Sequence, residues 1–389
     1  MQNLDTLLQT FPKSPDWTVD WEAIEGNEAL TALIEGMKNT PQDREWHGEG
    51  DVWTHTKMVC GTMAEMKEFR SLPLRQRQEL FLAALLHDVG KIVCTREEMG
   101  RLAAPHHGST GSRMARAFLW KEVGLAGTKE AQNFRETVCC LIRYHTSPAH
   151  IWEEEDGLRL VQIAANGALA EDFQYYMLSI LAEADMLGRI AADRVTLARQ
   201  AEFSRLMAEE MHCLHESRKF ASSYAERAYL AGRLNWPDAE LYDDTWGEVI
   251  VLAGLPGTGK DTWIKAHCAG LPVISLDDLR LRLGITHKDD QGPVIAAANE
   301  QAKAYLRKKQ PFVWNATSLT KMLRKKRIDL VENYGARVRI VFLETSWEEG
   351  LRRNANRPQQ VPQEKIEKML GQMEPPERFE AQEVEWRCV

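Results

Sequence analysis

The sequence has no CxxC pair, no internal repeat, no low-complexity tract, and no apolar run longer than Leu80-Phe-Leu-Ala-Ala-Leu-Leu86. Each absence excludes something. Seven cysteines without paired spacing argue for reduced thiols and against a disulfide framework. The apolar run is far too short to span a bilayer, so no membrane partner is expected. Met1-Gln-Asn-Leu-Asp lacks a basic leader with an apolar core, which gives no secretory signal and makes the cytoplasm the expected compartment. Positive charge is not in excess either. The net charge is -8, so any contact with nucleic acid must come from local patches rather than from the whole surface.

What is present falls into two regions with different patterns. A chain of 389 residues is long enough for about two domains, each with its own core. Lys57 to Arg70, Arg75 to Leu86, Gly111 to Val123, Ala131 to Tyr144, Ala170 to Ala191 and Asp193 to Glu216 carry helical apolar spacing, and no strand is expected among them. Beyond Gly247, the short β-prone runs Val249–Ala253, Val273–Leu276, Phe312–Asn315 and Val338–Leu343 alternate with helical segments, the pattern of parallel βαβ units. The polar, acidic stretch between them reads as a linker. The expected organisation is an all-helical domain over 1–234, a linker over 235–246, and an α/β domain with a parallel sheet over 247–389.

The α/β region opens on Gly254-Leu-Pro-Gly-Thr-Gly-Lys-Asp-Thr262, set between the strand Val249–Ala253 and a helical stretch. That context makes the pattern a phosphate loop for a nucleoside triphosphate. Gly254, Gly257 and Gly259 allow a tight turn, with the N–H groups around Thr258 aimed inward. The helix start adds positive potential, and Lys260 can reach the β- and γ-phosphates. Asp261 stands where Ser or Thr normally touches magnesium, with Thr262 one place later. Whether the Asp261 carboxylate serves the ion through water or Thr262 substitutes is left open by the sequence.

In the helical region, His87-Asp88 ends an apolar helix and Val89-Gly-Lys91 follows. Two such side chains closing an apolar face are costly unless something pairs with them. His55, His107, His145 and Asp185 are spread in order along neighbouring helices. His106 adjoins His107; the four-residue step from His107 to Gly111 favours the latter. Trp46-His-Gly-Glu-Gly-Asp-Val-Trp-Thr-His55, Leu85-Leu-His-Asp-Val-Gly-Lys91, His107-Gly-Ser-Thr-Gly111 and Ala184-Asp-Met-Leu-Gly-Arg189 resemble blocks of the HD superfamily of metal phosphohydrolases. The match is nearest to the HD domains fused to tRNA nucleotidyltransferases and covers roughly residues 40–190.

This resemblance implies that His55, His87, Asp88 and Asp185 hold one metal, while His107 and His145 hold a second, with Asp88 as bridge. Such ligation suits Mn, Fe, Co, Ni or Zn better than Mg or Ca. The metal would acidify a water to attack a phosphoester. Lys91 is placed to neutralise a phosphate oxygen or a leaving group. His47 and Glu49 are further possible substrate contacts, and Gly48 stands where the family pattern has Pro.

Three stretches qualify the phosphate loop. Ile274-Ser-Leu-Asp-Asp-Leu-Arg280 follows the second strand, where ligands of parallel sheets bind. Asp277 there can take a proton from an attacking hydroxyl, and Arg280 can hold an acceptor phosphate. Trp314-Asn-Ala-Thr-Ser-Leu319 ends the third strand with small polar groups. Arg353 and Arg357 share one helical face and can neutralise the transferring group.

Residues 248–371 resemble phage-type polynucleotide kinases, which implies that Asp277 is the general base, Arg280 binds the acceptor phosphate, Thr317 lines the site, and Arg353 and Arg357 form a lid. Arg307-Lys-Lys309 and the run Lys321 to Arg327 are candidate tracks for a nucleic-acid backbone. The whole chain resembles bacterial HD-domain/polynucleotide-kinase fusions. The implied work is end healing on RNA or DNA, with a nucleic-acid ligase as a partner downstream. One half would phosphorylate 5′-OH ends with ATP or another NTP and Mg²⁺. The other would remove 2′-phosphate or 2′,3′-cyclic phosphate with one or two transition-metal ions. The alternatives are an HD nucleotidase fused to a small-molecule kinase, and a nucleotide-sensing regulator, which would have no need of a complete metal set.

Overall fold

Two helices, α1 (Val52–Glu65) and α2 (Leu74–Leu86), carry the centre of the N-terminal region in the computed structural model, which describes residues 2–151, 157–286, 289–357 and 359–389. Every residue of α2 from Leu80 to Leu86 is at most 1% exposed. A helix that is apolar all round must be wrapped by others. Further along the chain come α3 (His107–Lys121), α4 (Lys129–Tyr144), α5 (Tyr175–Leu187) and α6 (Arg194–Glu210). Of these, α5 packs on α1, α2 and α6.

Three local devices fix the chain near the site. The Asp51 carboxylate accepts from the Thr54 N–H at 2.9 Å and starts α1, which places His55 one turn in. A Cβ on Gly188 would fall 2.7 Å from Val59 Cα, so only glycine lets α5 end against α1. A Cβ on Gly90 would meet His107 O at 2.1 Å and Gly111 N at 2.5 Å. That contact seats the start of α3 against the end of α2.

The expectation of no strand in this region is corrected by a hairpin. β1 (Arg96–Glu98) pairs antiparallel with β2 (Arg101–Ala103), Arg96 opposite Ala103. Its two-residue turn has positive φ at both Met99 and Gly100, 53° and 78°. Turns of this kind match the twist of a hairpin. The strands carry mostly exposed charged side chains, so no apolar alternation announces them.

The C-terminal region is a five-stranded, all-parallel sheet in the order β4-β5-β3-β6-β7. The strands are β3 (Glu248–Ala253), β4 (Val273–Ser275), β5 (Val313–Asn315), β6 (Arg337–Glu344) and β7 (Glu383–Cys388). In register, β3 sets Ile250 opposite Val313 of β5 and Val251 opposite Ile340 of β6. Four strands fall on the expected runs. The fifth, β7, is an edge strand in which Glu, Arg and Trp replace the continuous apolar run of a buried strand. Arg339 of β6 pairs with its Glu385.

The chain divides into one compact unit of Met1–Leu125 with Glu130–Lys219 and another of Ala126–Lys129 with Phe220–Val389. The division therefore falls before the stretch 235–246 that reads as a linker. Helix α7 (Ser223–Leu230) explains the difference, since its Arg227 donates to Glu332 at 3.2 Å and to Phe379 O at 2.6 Å. Among the described residues no helix is long and apolar enough to cross a membrane.

Candidate active sites

His87 is the C-cap of α2, and its neighbour Asp88 is 1% exposed. His55 reaches the same point from α1, His107 from the first turn of α3, His145 from just beyond α4, and Asp185 from α5. The two oxygens of Asp88 face different groups. Its Oδ2 lies 3.3 Å from His87 Nε2 and 3.6 Å from His55 Nε2, and Asp185 Oδ1 lies 3.0 Å from His55 Nε2. Its Oδ1 lies 3.5 Å from His107 Nε2 and 3.7 Å from His145 Nε2. His106, in a left-handed conformation, is exposed.

The rings are oriented from behind. The Nδ1 atoms of His87, His107 and His145 lie 2.8, 2.8 and 2.7 Å from the carbonyls of Ala84, Ala104 and Ile142. An N–H at Nδ1 leaves Nε2 as an acceptor aimed into the cluster. His55 Nδ1 lies 2.8 Å from Glu49 Oε1, and the other Glu49 oxygen accepts from the Ile190 N–H at 2.9 Å. The sequence reading offers Glu49 as a substrate contact; its side chain, 1% exposed, instead backs His55. Gly48 donates its N–H to Ile190 O at 2.9 Å, a bond that proline cannot make.

Electrostatics follow from this packing. Burial opposes charge on His55, yet Asp185 and Glu49 outweigh it and push its pKa up to about 9. Burial, with His107 and His87 beside it, pushes His145 down to about 3. Burial would raise Asp88, but Lys91 and His87 hold it well below the usual carboxylate range. His87 Nε2 and Asp88 Oδ1 are buried without a well-formed hydrogen bond. Buried polar atoms are rarely left so. His55, His87 and Asp185, and equally His87, Asp88 and His145, each present donor atoms within 4.8 Å of one another. Imidazoles and carboxylates converging on orphaned atoms fit divalent transition metals. Lys91 Nζ stands 2.7 Å from Asp88 Oδ2 and 2.7 Å from Gln42 Oε1.

The second site sits at the carboxyl ends of the strands. Gly257, Gly259, Lys260, Asp261, Thr262, Asp277, Arg280, Thr317, Arg353 and Arg357 line a cavity of about 280 Å³ together with Asn315. Gly254 and Thr258 of the same loop are not part of this lining. Gly254, with φ of 142°, turns the chain where a Cβ would fall 2.4 Å from Leu343 O. Thr258 is buried, its hydroxyl donating to Leu255 O at 2.9 Å.

The charged groups of this cavity have partners within the domain. Lys260 Nζ folds back on Gly254 O and Leu255 O at 3.0 and 2.9 Å. Burial and Arg357 push it down to about 8. Asp277, in the first turn of α8 (Leu276–Leu283), accepts from Arg280 at 2.5 Å and from Arg357 at 3.0 Å. Arg353 donates to Glu349 at 2.6 Å. Asp261 accepts from Asn315 Nδ2 at 2.6 Å, a contact no spacing rule announces.

The basic run Lys321 to Arg327 is largely occupied within its own unit. Arg324 is buried against Glu380, Lys321 pairs with Glu377, Lys325 with Asp329, and Arg327 donates to Ser318.

Residues 52–166 match the HD domain family, and residues 249–376 match the AAA domain family. A solved gluconokinase from Sinorhizobium meliloti 1021 is similar over 36% of this chain and 82% of its own, at 24% identity and a TM-score of 0.28. That likeness carries no argument about substrate. The chain joins a helical HD domain to a P-loop kinase-like domain with a parallel five-stranded sheet.

Proposed function

We propose that the chain is a bifunctional end-healing enzyme acting on RNA or DNA. Its P-loop half phosphorylates 5′-OH ends with ATP or another NTP, and its HD half clears 2′-phosphate or 2′,3′-cyclic phosphate. The observation that carries the kinase reading is the shared cavity of Lys260, Asp277 and Arg280. Phosphoryl transfer needs positioned positive charge on the donor and a carboxylate near the acceptor hydroxyl. Lys260 would leave its carbonyls for the β- and γ-phosphates. Asp277 would accept the acceptor's proton once Arg280 and Arg357 turn to phosphate oxygens. Arg353 would neutralise the transferring group.

In the HD half, His55, His87, Asp88 and Asp185 would hold one ion, and His107, His145 and Asp88 a second. Ions held there supply Lewis acidity and a water acidic enough to attack a phosphoester near neutral pH. Asp88 spans both positions, and Lys91 lies against it where a phosphate oxygen or leaving group needs a cation. A nucleic-acid ligase would consume the healed ends.

The test is direct. Full-length protein is incubated with labelled 5′-OH oligonucleotides and with 2′,3′-cyclic-phosphate oligonucleotides, with and without NTP, across Mg, Mn, Co, Ni and Zn. Phosphorylated 5′ ends and freed 2′,3′-hydroxyls are expected. Turnover of small nucleotides and sugars alone would transfer the chain to the metabolic reading.

A further inference from the structure

The cluster of candidate metal ligands adjoins a cavity of about 220 Å³. Lys91 and His107, both against Asp88, belong to its lining. Trp46, Pro41, Leu102, Ala103 and Ala104 supply the apolar part of the remainder, and Gln42, Asp43, His47 and Thr95 its polar part. Trp46 is 43% exposed on a turn whose N–H donates to Asp43 O at 3.2 Å. Leu102 and Ala103 come from β2, and Arg101 of that strand reaches Glu45 beside Trp46 at 3.0 Å. The hairpin and the Trp46 turn are thereby tied together as parts of one pocket.

We infer that this cavity is a nucleobase subsite of the HD half, with the Trp46 indole as the stacking face and Leu102 and Pro41 as an apolar rim. The inference rests on the nucleotide-end reading of the metal centre and names where that nucleotide lies. A phosphoester held between Lys91 and His107 carries its ribose and base at a short covalent distance, and this cavity lies directly beside those residues. Aromatic faces bind any base, because every base has a π-face. The volume is below the roughly 300–1,000 Å³ of sites for drug-sized ligands, which suits one terminal nucleotide and not a strand. The subsite therefore selects for the presence of a base, with little choice among the bases.

The metal-loaded, full-length protein is assayed on adenosine 2′,3′-cyclic phosphate and on the same cyclic ribose phosphate carrying a 1-O-methyl group in place of the base. Wild type should prefer the adenosine compound. Trp46→Ala should raise KM for it about 5- to 150-fold, the range that loss of one base–aromatic stack gives, with kcat held. The base-free compound should change less than twofold, and Trp46→Phe should recover most of the loss. Equal effects of Trp46→Ala on both compounds, or an unchanged KM for the adenosine compound, overturn the subsite and leave the nucleotide-end reading standing. A wild type that clears 2′,3′-cyclic-phosphate oligonucleotides but hydrolyses neither small compound overturns the subsite alone, and one that clears none of the three overturns that reading and the subsite with it.

Discussion

The two sites differ in how far they are finished before anything binds. The HD cluster draws its side chains from residues as distant as His55 and Asp185, buries all of them but His107, and orients each ring from behind. His87 Nε2 and Asp88 Oδ1 are left there without a hydrogen bond. The phosphate-loop cavity takes six of its lining residues from the one stretch Pro256–Thr262, and its charged groups already have partners. Lys260 rests on carbonyls, Asp277 lies between two arginines, and Arg353 holds Glu349. The first site would offer an ion donor atoms already set in place. The second must exchange internal partners for a ligand's phosphates, so its binding is a competition.

The largest effect should come from crossing the two. Asp88→Asn removes the bridging carboxylate and should cost phosphatase activity on the order of 10³-fold, several kcal/mol of transition-state stabilisation. Phosphorylation of 5′-OH ends should continue. Asp277→Asn should do the reverse, with a kinase loss of about 10²- to 10⁴-fold, as expected for a general base. Parallel rates on both substrates for both variants check this. If either variant, still folded by circular dichroism, silenced both activities, the comparison would break.

A smaller effect should show that the buried centre is held from behind. Glu49→Gln removes the negative partner of His55 Nδ1 and should weaken metal binding about 10- to 100-fold, the usual consequence of losing such support. Competition against a chromogenic chelator reads the constant. Unchanged affinity would return Glu49 to the role of a substrate contact.

The open site should reveal its competition through pH. Lys260 in the free protein sits near 8, below the ordinary lysine value, while bound phosphates favour its charged form. Below pH 8 the lysine is already protonated and nucleotide affinity should be flat. Above it, binding must take up a proton, and affinity should fall up to about tenfold per pH unit. Calorimetry in buffers of different ionisation enthalpy measures that uptake. Lys260→Met, weaker throughout, should lose the slope.

The smallest effect concerns Asp261. Its carboxylate lines the cavity and is held by Asn315, which suits an ion met through water better than direct contact. Asp261→Asn and Asn315→Ala should each raise the magnesium needed for nucleotide binding by a few-fold, since an exposed charge near an ion contributes about 1 kcal/mol. Magnesium titrations that overlay the parent's would leave the residue as a mere partner of Asn315.

Much of this was legible in the sequence because it is local. A phosphate loop is contiguous, and His87-Asp88 at the end of an apolar helix advertises an unpaid desolvation cost. What stayed hidden was set by neighbours remote in sequence. Glu49 looks like any acid until α1 brings His55 to it. Asn315, at the end of β5, meets Asp261 in the helix that follows β3. The hairpin Arg96–Ala103 is specified by turn geometry at Met99 and Gly100, and β7 by an edge position that tolerates charge. The basic run Lys321 to Arg327 reads as a track for nucleic acid, but its partners Glu377 and Glu380 lie more than fifty residues on.

The central claim is that one chain holds two complete and chemically distinct sites. Protein stripped of metal and returned to magnesium alone should phosphorylate 5′-OH ends at the full rate and leave 2′,3′-cyclic-phosphate ends intact until Mn, Co, Ni or Zn is added, because His-rich ligation disfavours an ion that prefers oxygen ligands. Full removal of the cyclic phosphate by the stripped protein in magnesium would contradict it.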